Sequence, residues 1–351
     1  MSPIHAKLLW CGLSVGTRRS YGPARRSYER YCTFEFPGQQ AWPATLGKLC
    51  GWVCARAIGS HGESRIKPKT IAHYLSALRS VHVDKRLTTT VFTNEHLKRL
   101  LDGAKRLDDG TKLRVRRPIT LPILEKIVKP APPPSTSLST TQLDALRVDT
   151  AFKVAFAGFL RMGEFTYTKA ELKDRVTFQK ERLLLADVEV KPSHAVLTLK
   201  RSKASQFQSV YIRLARTGSS TCPVTALEAL QRHDTRPNVL PLFMLSSGSF
   251  SRTELLNILN TRLRATSLWE EGYTGHSFRK GAAQTALDRG LSKEDIQLLG
   301  RWSSDAVERY YKHAEGNIVR LSQKLLSPTP RSLPTSASNI TTPRQVPQTQ
   351  T

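Results

Sequence analysis

The strongest constraint in this sequence is an ordered set of side chains near its C-terminus. His276 and Arg279 open the set, and Trp302 follows after the length of a helix-turn-helix. Two adjacent tyrosines, Tyr310 and Tyr311, close it. Arginine matches two phosphate oxygens with its planar fork, histidine and tryptophan add single N–H donors, and tyrosine offers an oxygen nucleophile. These are the groups expected around a phosphodiester that is cleaved without a metal ion.

Apolar positions and capping residues in this stretch predict three helices separated by turns. The first begins near Ser277 and ends at Gly290. Ser292, with Asp295 three residues later, is typical of the N-terminal cap of the second helix, and Gly300 ends it. The third helix is predicted to carry the tyrosine pair.

These motifs resemble the C-terminal half of the catalytic domain of tyrosine recombinases, the phage integrase family. The resemblance rests on His276-Ser-Phe-Arg279, on Gly300-Arg-Trp302-Ser-Ser-Asp and on the tyrosine that follows. It is most similar to the recombinases of eukaryotic DIRS-, Ngaro- and Crypton-type mobile elements, whereas many bacterial members carry histidine in place of the tryptophan. The resemblance implies a mainly α-helical fold with a small antiparallel β-sheet. A helical core-binding domain would precede the catalytic domain.

A second arginine motif follows an apolar segment that predicts a buried helix over residues 143–160. Arg161 comes directly after this segment, and Glu164 lies three residues further on. Seen alone, the pair is equally typical of a core helix that ends in an exposed ion pair. The resemblance identifies Arg161 as the other catalytic arginine of the family and Glu164 as a supporting residue without a chemical role.

Alternating apolar residues then predict a small sheet. The predicted strands cover residues 183–190, 195–200 and 210–214, and residues 240–245 are also strand-like. The turn between the second and third strands contains Lys203, which the resemblance identifies as the catalytic lysine. Lys200 is the rival for this role, and a solvated hairpin lysine is the structural alternative.

The first part of the chain predicts a compact helical domain with a basic exterior. Four amphipathic segments lie within residues 19–107, and this arrangement resembles the core-binding domain of the family, although other helical bundles have the same pattern. Lys69 and Arg79 are predicted to lie on the surface of the third segment and to contact DNA. Residues 1–18 have no strong pattern and are expected to be loose.

Residues 108–118 combine turn residues with dense positive charge and are predicted to form the linker to a catalytic domain of residues 119–326. Four cations of the linker could lie along a phosphate backbone: Lys112, Arg114, Arg116 and Arg117. A solvated basic hinge is the alternative. Residues 327–351 are rich in Pro, Ser, Thr and Gln and are expected to be disordered.

The charge of the chain predicts a polyanionic partner. Its 351 residues include 54 Lys and Arg against 28 Asp and Glu, a formal net charge of +26. This excess suits nucleic acid, although a ribosome-like or merely basic protein is the alternative on charge alone. Five scattered cysteines indicate a reducing compartment, and Cys50 and Cys54 are interpreted as buried thiols because no partner pair lies at zinc spacing. No metal, cofactor or membrane span is expected.

The resemblance implies phosphoryl transfer that needs neither metal nor ATP. Arg161 and Arg279 would hold the nonbridging oxygens of the scissile phosphate. His276 and Trp302 would add hydrogen bonds, and together these groups would stabilise the charge of the transition state. A tyrosine would attack to form a 3′-phosphotyrosine link, and Lys203 would protonate the leaving 5′ oxygen.

The nucleophile could be either of the two adjacent tyrosines. Alignment with the eukaryotic recombinases through Gly-Arg-Trp-Ser-Ser-Asp favours Tyr310, whereas the bacterial and phage spacing fits Tyr311 and the nearby His313. Neighbouring residues on a helix point about 100° apart, so only one of the two can reach the phosphate. Tyr310 is the preferred candidate.

The expected function is therefore site-specific recombination or integration of double-stranded DNA, by a protein that self-associates as a dimer or tetramer in the nucleus. Two alternatives remain open. The chain could be a domesticated DNA-binding protein that no longer cuts, or a relaxing enzyme similar to type IB topoisomerases. The complete set of catalytic side chains favours the recombinase, because a protein that only binds DNA need not keep a nucleophile.

Overall fold

The structure is a computed structural model that describes residues 2–108, 116–200 and 208–302. These residues form fourteen α-helices, two 3-10 helices and three β-strands. The fold is therefore mainly α-helical with a small antiparallel sheet, as the sequence predicts. The chain divides into two compact units, Met1–Leu113 and Arg114–Thr351. No helix among the described residues is long and apolar enough to cross a membrane.

The first unit is a helical bundle. Its helices are α1 (Pro3–Cys11), α2 (Val15–Glu35), α3 (Leu46–Ile58), α4 (Pro68–Asp84) and α5 (Glu95–Leu107), with a 3-10 turn at Thr90–Thr93. The four predicted segments correspond to α2–α5. Tyr28, Leu49, Trp52, Leu78 and Leu97 lie at the centre of the core. Helix α3 ends at Gly59, whose positive φ of 81° suits the residue without a side chain.

The N-terminus contains local order that the sequence pattern did not predict. Ser2 caps α1 through its side chain, and Pro3 occupies the first turn, where a missing N–H has no cost. No side chain of α1 is buried. Helix α1 is therefore specified locally by its N-terminal cap, and Arg18 of α2 contacts it, with 4.1 Å between its guanidinium carbon and the centroid of the Trp10 ring.

A buried carboxylate connects α2 and α3 through the loop that follows α3. Glu63 accepts hydrogen bonds from Ser27 Oγ at 3.0 Å, Arg30 Nε at 2.7 Å and Arg56 Nη1 at 2.5 Å. Trp52 Nε1 donates in turn to Ser27 Oγ at 3.2 Å. Because Glu63 and Arg56 are both buried, each satisfies the charge of the other.

The cysteines of α3 are less buried than the sequence interpretation held. Cys50 is half-buried and Cys54 is exposed, and all five cysteines are free. The prediction that Cys54 is buried is wrong because the residue lies on the solvent side of α3, whereas its neighbour Val53 faces the core.

The second unit packs helices around one long helix and a small sheet. Its helices are α6 (Leu121–Ile127), α7 (Thr140–Ala157), α8 (Met162–Phe165), α9 (Lys169–Lys173), α10 (Arg175–Glu181), α11 (Pro223–His233), α12 (Arg252–Ala265), α13 (Ser277–Asp288) and α14 (Lys293–Gly300). Helix α7 carries ten buried residues and packs against α11 and α13. It is the central element of this core.

The sheet has three antiparallel strands in sequential order, β1 (Val188–Val190), β2 (His194–Leu199) and β3 (Val210–Ala215). Every second residue of β2 is buried, which is the alternation that the sequence predicts. Strand β1 is shorter than predicted, because Leu185–Asp187 forms a 3-10 turn.

The predicted strand at residues 240–245 is wrong. The described structure has only an isolated bridge there, between Leu184 and Pro241. Two hydrogen bonds flank this bridge, from the Leu185 N–H to the Leu240 carbonyl at 3.0 Å and from the Leu242 N–H to the Leu183 carbonyl at 3.1 Å. The pairing does not grow into a strand, because the partner segment turns into a 3-10 helix at Leu185–Asp187.

The chain enters the second unit along the loop that precedes α13. The Arg117 N–H donates to the Gly272 carbonyl at 3.1 Å, and the Ile119 N–H donates to the Ser277 carbonyl at 2.9 Å. A Cβ atom on Gly281 would lie 1.6 Å from the Ile119 carbonyl oxygen. Only glycine permits this approach, and it fixes the entering segment against α13.

Candidate active site

The tight turn after α7 positions the first candidate arginine. Phe159 adopts a positive φ of 49°, and the Leu160 N–H donates to the Ala155 carbonyl at 2.9 Å. The phenyl ring of Phe159 is buried, which holds the turn in this uncommon conformation. Arg161 follows as the N-terminal cap residue of α8.

Glu164 holds the side chain and the backbone of Arg161 at once. Its Oε2 accepts from the Arg161 backbone N–H at 2.8 Å, and its Oε1 accepts from Arg161 Nη1 at 2.9 Å. Glu164 is only 8% exposed, whereas the Arg161 side chain is 22% exposed. The carboxylate therefore orients a guanidinium group that still reaches solvent.

Arg279 lies on the first turn of α13 and is 3% exposed. Its Nη1 donates to the Phe159 carbonyl at 2.7 Å, and its Nη2 donates to the Gly300 carbonyl. These hydrogen bonds tie α13 to the turn after α7 and to the end of α14.

Trp302 covers this arginine. The Arg279 guanidinium carbon lies 4.5 Å from the centroid of the indole, within the range of a cation–π contact. The Trp302 ring also meets the Phe159 ring edge-on, with 6.0 Å between their centroids. A Cβ atom on Gly300 would lie 1.9 Å from the indole, so glycine at this position is what allows the ring to lie there.

His276 lies at the N-terminus of α13 and is exposed. The preceding Gly275 packs closely against the side chain of Met162, next to Arg161: a Cβ atom on Gly275 would lie 3.2 Å from the Met162 Cβ. The pKa of His276 is lowered from its ordinary value. Partial loss of water around the imidazole is the main cause, and four neighbouring guanidinium groups lower the pKa further: Arg116, Arg252, Arg161 and Arg279. The lowered pKa favours the neutral form of the imidazole.

The structure thus brings four of the predicted catalytic residues into one region: Arg161, His276, Arg279 and Trp302. Lys203, Tyr310 and Tyr311 lie outside the described residues. The rival lysine, Lys200, directly follows β2. Its Nζ lies 2.7 Å from Asp187 Oδ2 and donates to the Gln179 carbonyl at 2.9 Å.

The residues predicted to contact DNA have different surroundings. Lys69 and Arg79 are both exposed residues of α4. Arg116 is exposed, whereas Arg117 forms an ion pair with Glu270. Lys112 and Arg114 lie outside the described residues.

Three cations near the site were not assigned a role from the sequence. Arg252, the first residue of α12, lies beside Gly275, with its Nε 3.1 Å from a Cβ atom built there. Lys280 follows Arg279 and donates from Nζ to the Arg116 carbonyl at 2.6 Å. Arg301 is part of the Gly-Arg-Trp motif itself. No sequence signal connects Arg252 with His276, because only the fold brings these residues together.

The charged groups that lower the pKa of His276 are four guanidinium groups, and one of them, Arg161, is paired with Glu164. Cations held at short range repel one another, and a bound anion relieves this repulsion. Among the described residues, no group of three or more His, Cys, Asp or Glu side chains is arranged to hold a metal ion. The arrangement suits a phosphate group.

Comparison with known proteins relates the chain to solved structures only. No protein-family model matches it, and no curated protein does. The XerH site-specific recombinase bound to palindromic difH substrate, in a post-cleavage complex, superposes with a TM-score of 0.55 at 14% identity and covers 87% of this chain and 78% of that chain. The Tn1549 transposon integrase in complex with circular intermediate DNA has a TM-score of 0.52 at 15% identity, covering 90% and 95% of the two chains.

A dimer of lambda integrase bound to a COC′ core site is a third similar structure. Its TM-score is 0.50 at 16% identity, and the match covers 87% of this chain and 92% of that chain. At these identities the likeness establishes the fold: the chain has the fold of the tyrosine recombinases and integrases.

Proposed function

We propose that this protein cleaves and rejoins double-stranded DNA through a tyrosine and so carries out site-specific recombination or integration. One observation carries the proposal. Within a recombinase fold, the Phe159 turn joins Arg161 to Arg279, and His276 lies among the same guanidinium groups. The solved relatives of this fold named above are bound to DNA, which supports DNA as the substrate.

In this mechanism the phosphate is held by charge that is in place before the reaction. Arg161 and Arg279 bind the nonbridging oxygens and stabilise the additional negative charge of the transition state. The neutral imidazole of His276 donates one N–H to the phosphate and keeps its other ring nitrogen as an acceptor. Trp302 adds an indole N–H.

The chemical step exchanges one phosphate ester for another. The phenolate oxygen of Tyr310, or of Tyr311, forms a bond to phosphorus while the bond from phosphorus to the 5′ oxygen breaks. Lys203 gives its proton to that oxygen and leaves a free 5′-hydroxyl. Rejoining is the reverse step. It needs no ATP, because the phosphotyrosine link retains the energy of the broken bond.

Access to Arg279 requires a rearrangement. In the present conformation Arg279 is 3% exposed, donates to two carbonyl groups and lies against Trp302. A phosphate that binds Arg279 must displace part of this packing. The same burial favours the second candidate function, a DNA-binding protein that no longer cuts, since such a protein could keep Arg279 in a purely structural role.

A suicide substrate distinguishes these functions. Duplex DNA that carries a nick near the cleavage position should trap a covalent protein–DNA adduct in EDTA and without ATP. Tyr310→Phe is expected to abolish the adduct, and Tyr311→Phe is expected to retain it. The reverse pattern would assign the nucleophile to Tyr311. An adduct that survives the double substitution would exclude the tyrosine mechanism, and binding without an adduct would favour the silent DNA-binding protein.

The proposal also includes the location, the oligomeric state and the domain roles of the protein. The chain acts on DNA in the nucleus as a dimer or tetramer, with residues 19–107 as a core-binding domain and residues 119–326 as the catalytic domain. Sedimentation of the protein with and without a duplex containing paired sites tests the self-association. Relaxation of supercoiled plasmid without exchange between two sites would instead support an enzyme similar to type IB topoisomerases.

A further inference from the structure

Arg301 has no role in the proposed mechanism, although it lies between Gly300 and Trp302 of the site. It adopts the left-handed conformation, with a φ of 53°, at the end of α14. Its side chain turns inward and is only 16% exposed. Burying a guanidinium group is costly unless its N–H groups are satisfied, so its partners indicate what it does.

Three acceptors hold the Arg301 guanidinium group. Its Nη1 donates to the Gly158 carbonyl at 2.8 Å, and its Nη2 makes longer contacts with the Phe159 carbonyl at 3.4 Å and Glu164 Oε2 at 3.3 Å. The first two acceptors belong to the turn that delivers Arg161. The third is the carboxylate that orients Arg161.

Arg301 and Arg279 are anchored at the same place. Both donate to the Phe159 carbonyl, Arg279 at 2.7 Å and Arg301 at 3.4 Å. The backbone turn at Phe159 is therefore the common support for the two arginines from the C-terminal motifs. Since Arg161 lies two residues further on, movement of this turn displaces it as well.

The charges around Glu164 give Arg301 a second effect. With Arg161 alone, the Glu164 carboxylate would form an ion pair of zero net charge. With Arg301 added, the three groups carry one net positive charge. Charge is only weakly screened in a partly buried site, so this additional positive charge would attract an anion bound next to Arg161.

Arg301 interacts with these groups and is itself partly desolvated. Its pKa is lowered, chiefly by burial; the Glu164 carboxylate opposes this shift, and the Arg161 charge adds to it. The planar fork of arginine can serve all three acceptors at once, whereas the ammonium group of a lysine is a single point of charge.

We infer that Arg301 is a positioning residue that fixes the Phe159 turn and offsets the charge of Glu164, so that Arg161 acts on the phosphate as an uncompensated cation. This inference rests on the proposed function. It concerns a residue that does not contact the reacting atoms, because its N–H groups are directed to Gly158, Phe159 and Glu164.

The test is a double-substitution cycle of Arg301→Gln and Glu164→Gln in the full-length protein. The rate of adduct formation is measured at saturating suicide substrate, and thermal unfolding is recorded for each variant. Arg301→Gln should slow adduct formation roughly tenfold to a hundredfold, the range found when an oriented site loses a supporting residue. Because Glu164 also orients Arg161, Glu164→Gln alone should slow adduct formation. Its cost should be at least about threefold smaller in the Arg301→Gln background, where it removes a carboxylate whose charge is no longer offset.

Two further variants separate this role from general loss of structure. Arg301→Lys keeps the charge and part of the contacts, so its rate should lie between those of the wild type and Arg301→Gln. Arg289→Gln, at an exposed arginine that ends α13, should react like the wild type. If Arg301→Gln does not fold but the double variant does, the charge coupling is supported. If neither the double variant nor Arg301→Lys folds, the inference is overturned.

The remaining outcomes are distinct. An Arg301→Gln rate within about twofold of the wild type, or a cost of Glu164→Gln that is the same in both backgrounds, overturns the inference while leaving the proposed function intact. If the wild type forms no adduct, the proposed function fails. The role of Arg301 is then tested by the affinity of each variant for uncleaved duplex DNA. A loss of affinity of about threefold in Arg301→Gln that is smaller when Glu164→Gln is also present would support the charge effect, and unchanged affinity would overturn it.

Discussion

At the scale of single residues, the protonation of His276 follows from its surroundings. In the free protein, desolvation and nearby guanidinium groups lower the pKa of the imidazole below its ordinary value, which favours the neutral form. A bound phosphate adds negative charge beside the ring and raises that pKa. The complex therefore takes up a proton wherever the pH lies between the two values.

We accordingly predict that DNA affinity rises as the pH falls from about 7.5 to about 6, by roughly twofold to fivefold, through the protonation of His276. Fluorescence anisotropy at constant ionic strength measures it. His276→Gln should remove this dependence, whereas His96→Gln, at an exposed histidine of α5, should leave it unchanged. If His276→Gln retains the full dependence, another group takes up the proton.

The sequence could identify candidate residues but not their neighbours. Arg161, His276, Arg279 and Trp302 were found because their order and spacing carry a signal along the chain. The burial of Arg279 under the indole and the contacts of Arg301 could not be predicted, because they depend on where the turn at Phe159 meets the end of α14. The closeness of Arg252 to His276 is likewise a product of the fold.

At the scale of secondary structure elements, the first unit depends on one buried carboxylate. Glu63 accepts from Ser27, Arg30 and Arg56, and its loss would leave the Arg56 guanidinium group buried without a counter-charge. We predict that Glu63→Ala destabilises this unit by about 3 kcal/mol or more. Urea unfolding followed by tryptophan fluorescence measures the change, because Trp52 donates to Ser27 beside the carboxylate.

A matched control for this experiment is Glu95→Ala, at an exposed glutamate of α5 that forms an exposed ion pair with Lys98 at 3.5 Å. It should leave the unfolding midpoint unchanged, because exposed ion pairs add little stability. Equal midpoints for the two variants would show that the buried carboxylate does not stabilise the unit.

Secondary structure elements could be predicted where one buried face makes apolar residues recur at a regular spacing in the sequence. Helices α2–α5 and α7 have apolar faces, and the predicted cap of α14 is present, with Ser292 and Asp295 bonded to each other's backbone N–H groups. Helix α1 buries no side chain, so it has no apolar period to detect. Residues 240–245 are apolar because they pack into the core, and apolar content alone does not distinguish a strand from a buried loop.

At the scale of the whole molecule, the net charge of +26 predicts binding that weakens steeply with salt. Each phosphate contact that is lost should reduce the slope of log affinity against log salt concentration by about 0.9. We predict this reduction for Lys69→Ala and for Arg79→Ala, which remove exposed cations of α4.

Arg117→Ala serves as the matched control. This substitution also removes a cation that the sequence predicts to contact DNA. In the structure, however, Arg117 is already paired with Glu270. Its effect on the slope should be smaller than that of Arg79→Ala. A slope unchanged by both α4 substitutions would exclude this helix from the DNA-binding surface.

The hydrogen bonds of Arg117 with the loop before α13, and of Ile119 with the first residue of α13, set a limit on how the protein can be shortened. A truncated version that starts at Leu121 would contain every candidate catalytic side chain. It would nevertheless lack the backbone partners of Gly272 and Ser277, which flank His276, and the Ile119 carbonyl that lies against Gly281. The smallest useful fragment should therefore begin upstream of Arg116, because its first residues hold the backbone on both sides of His276.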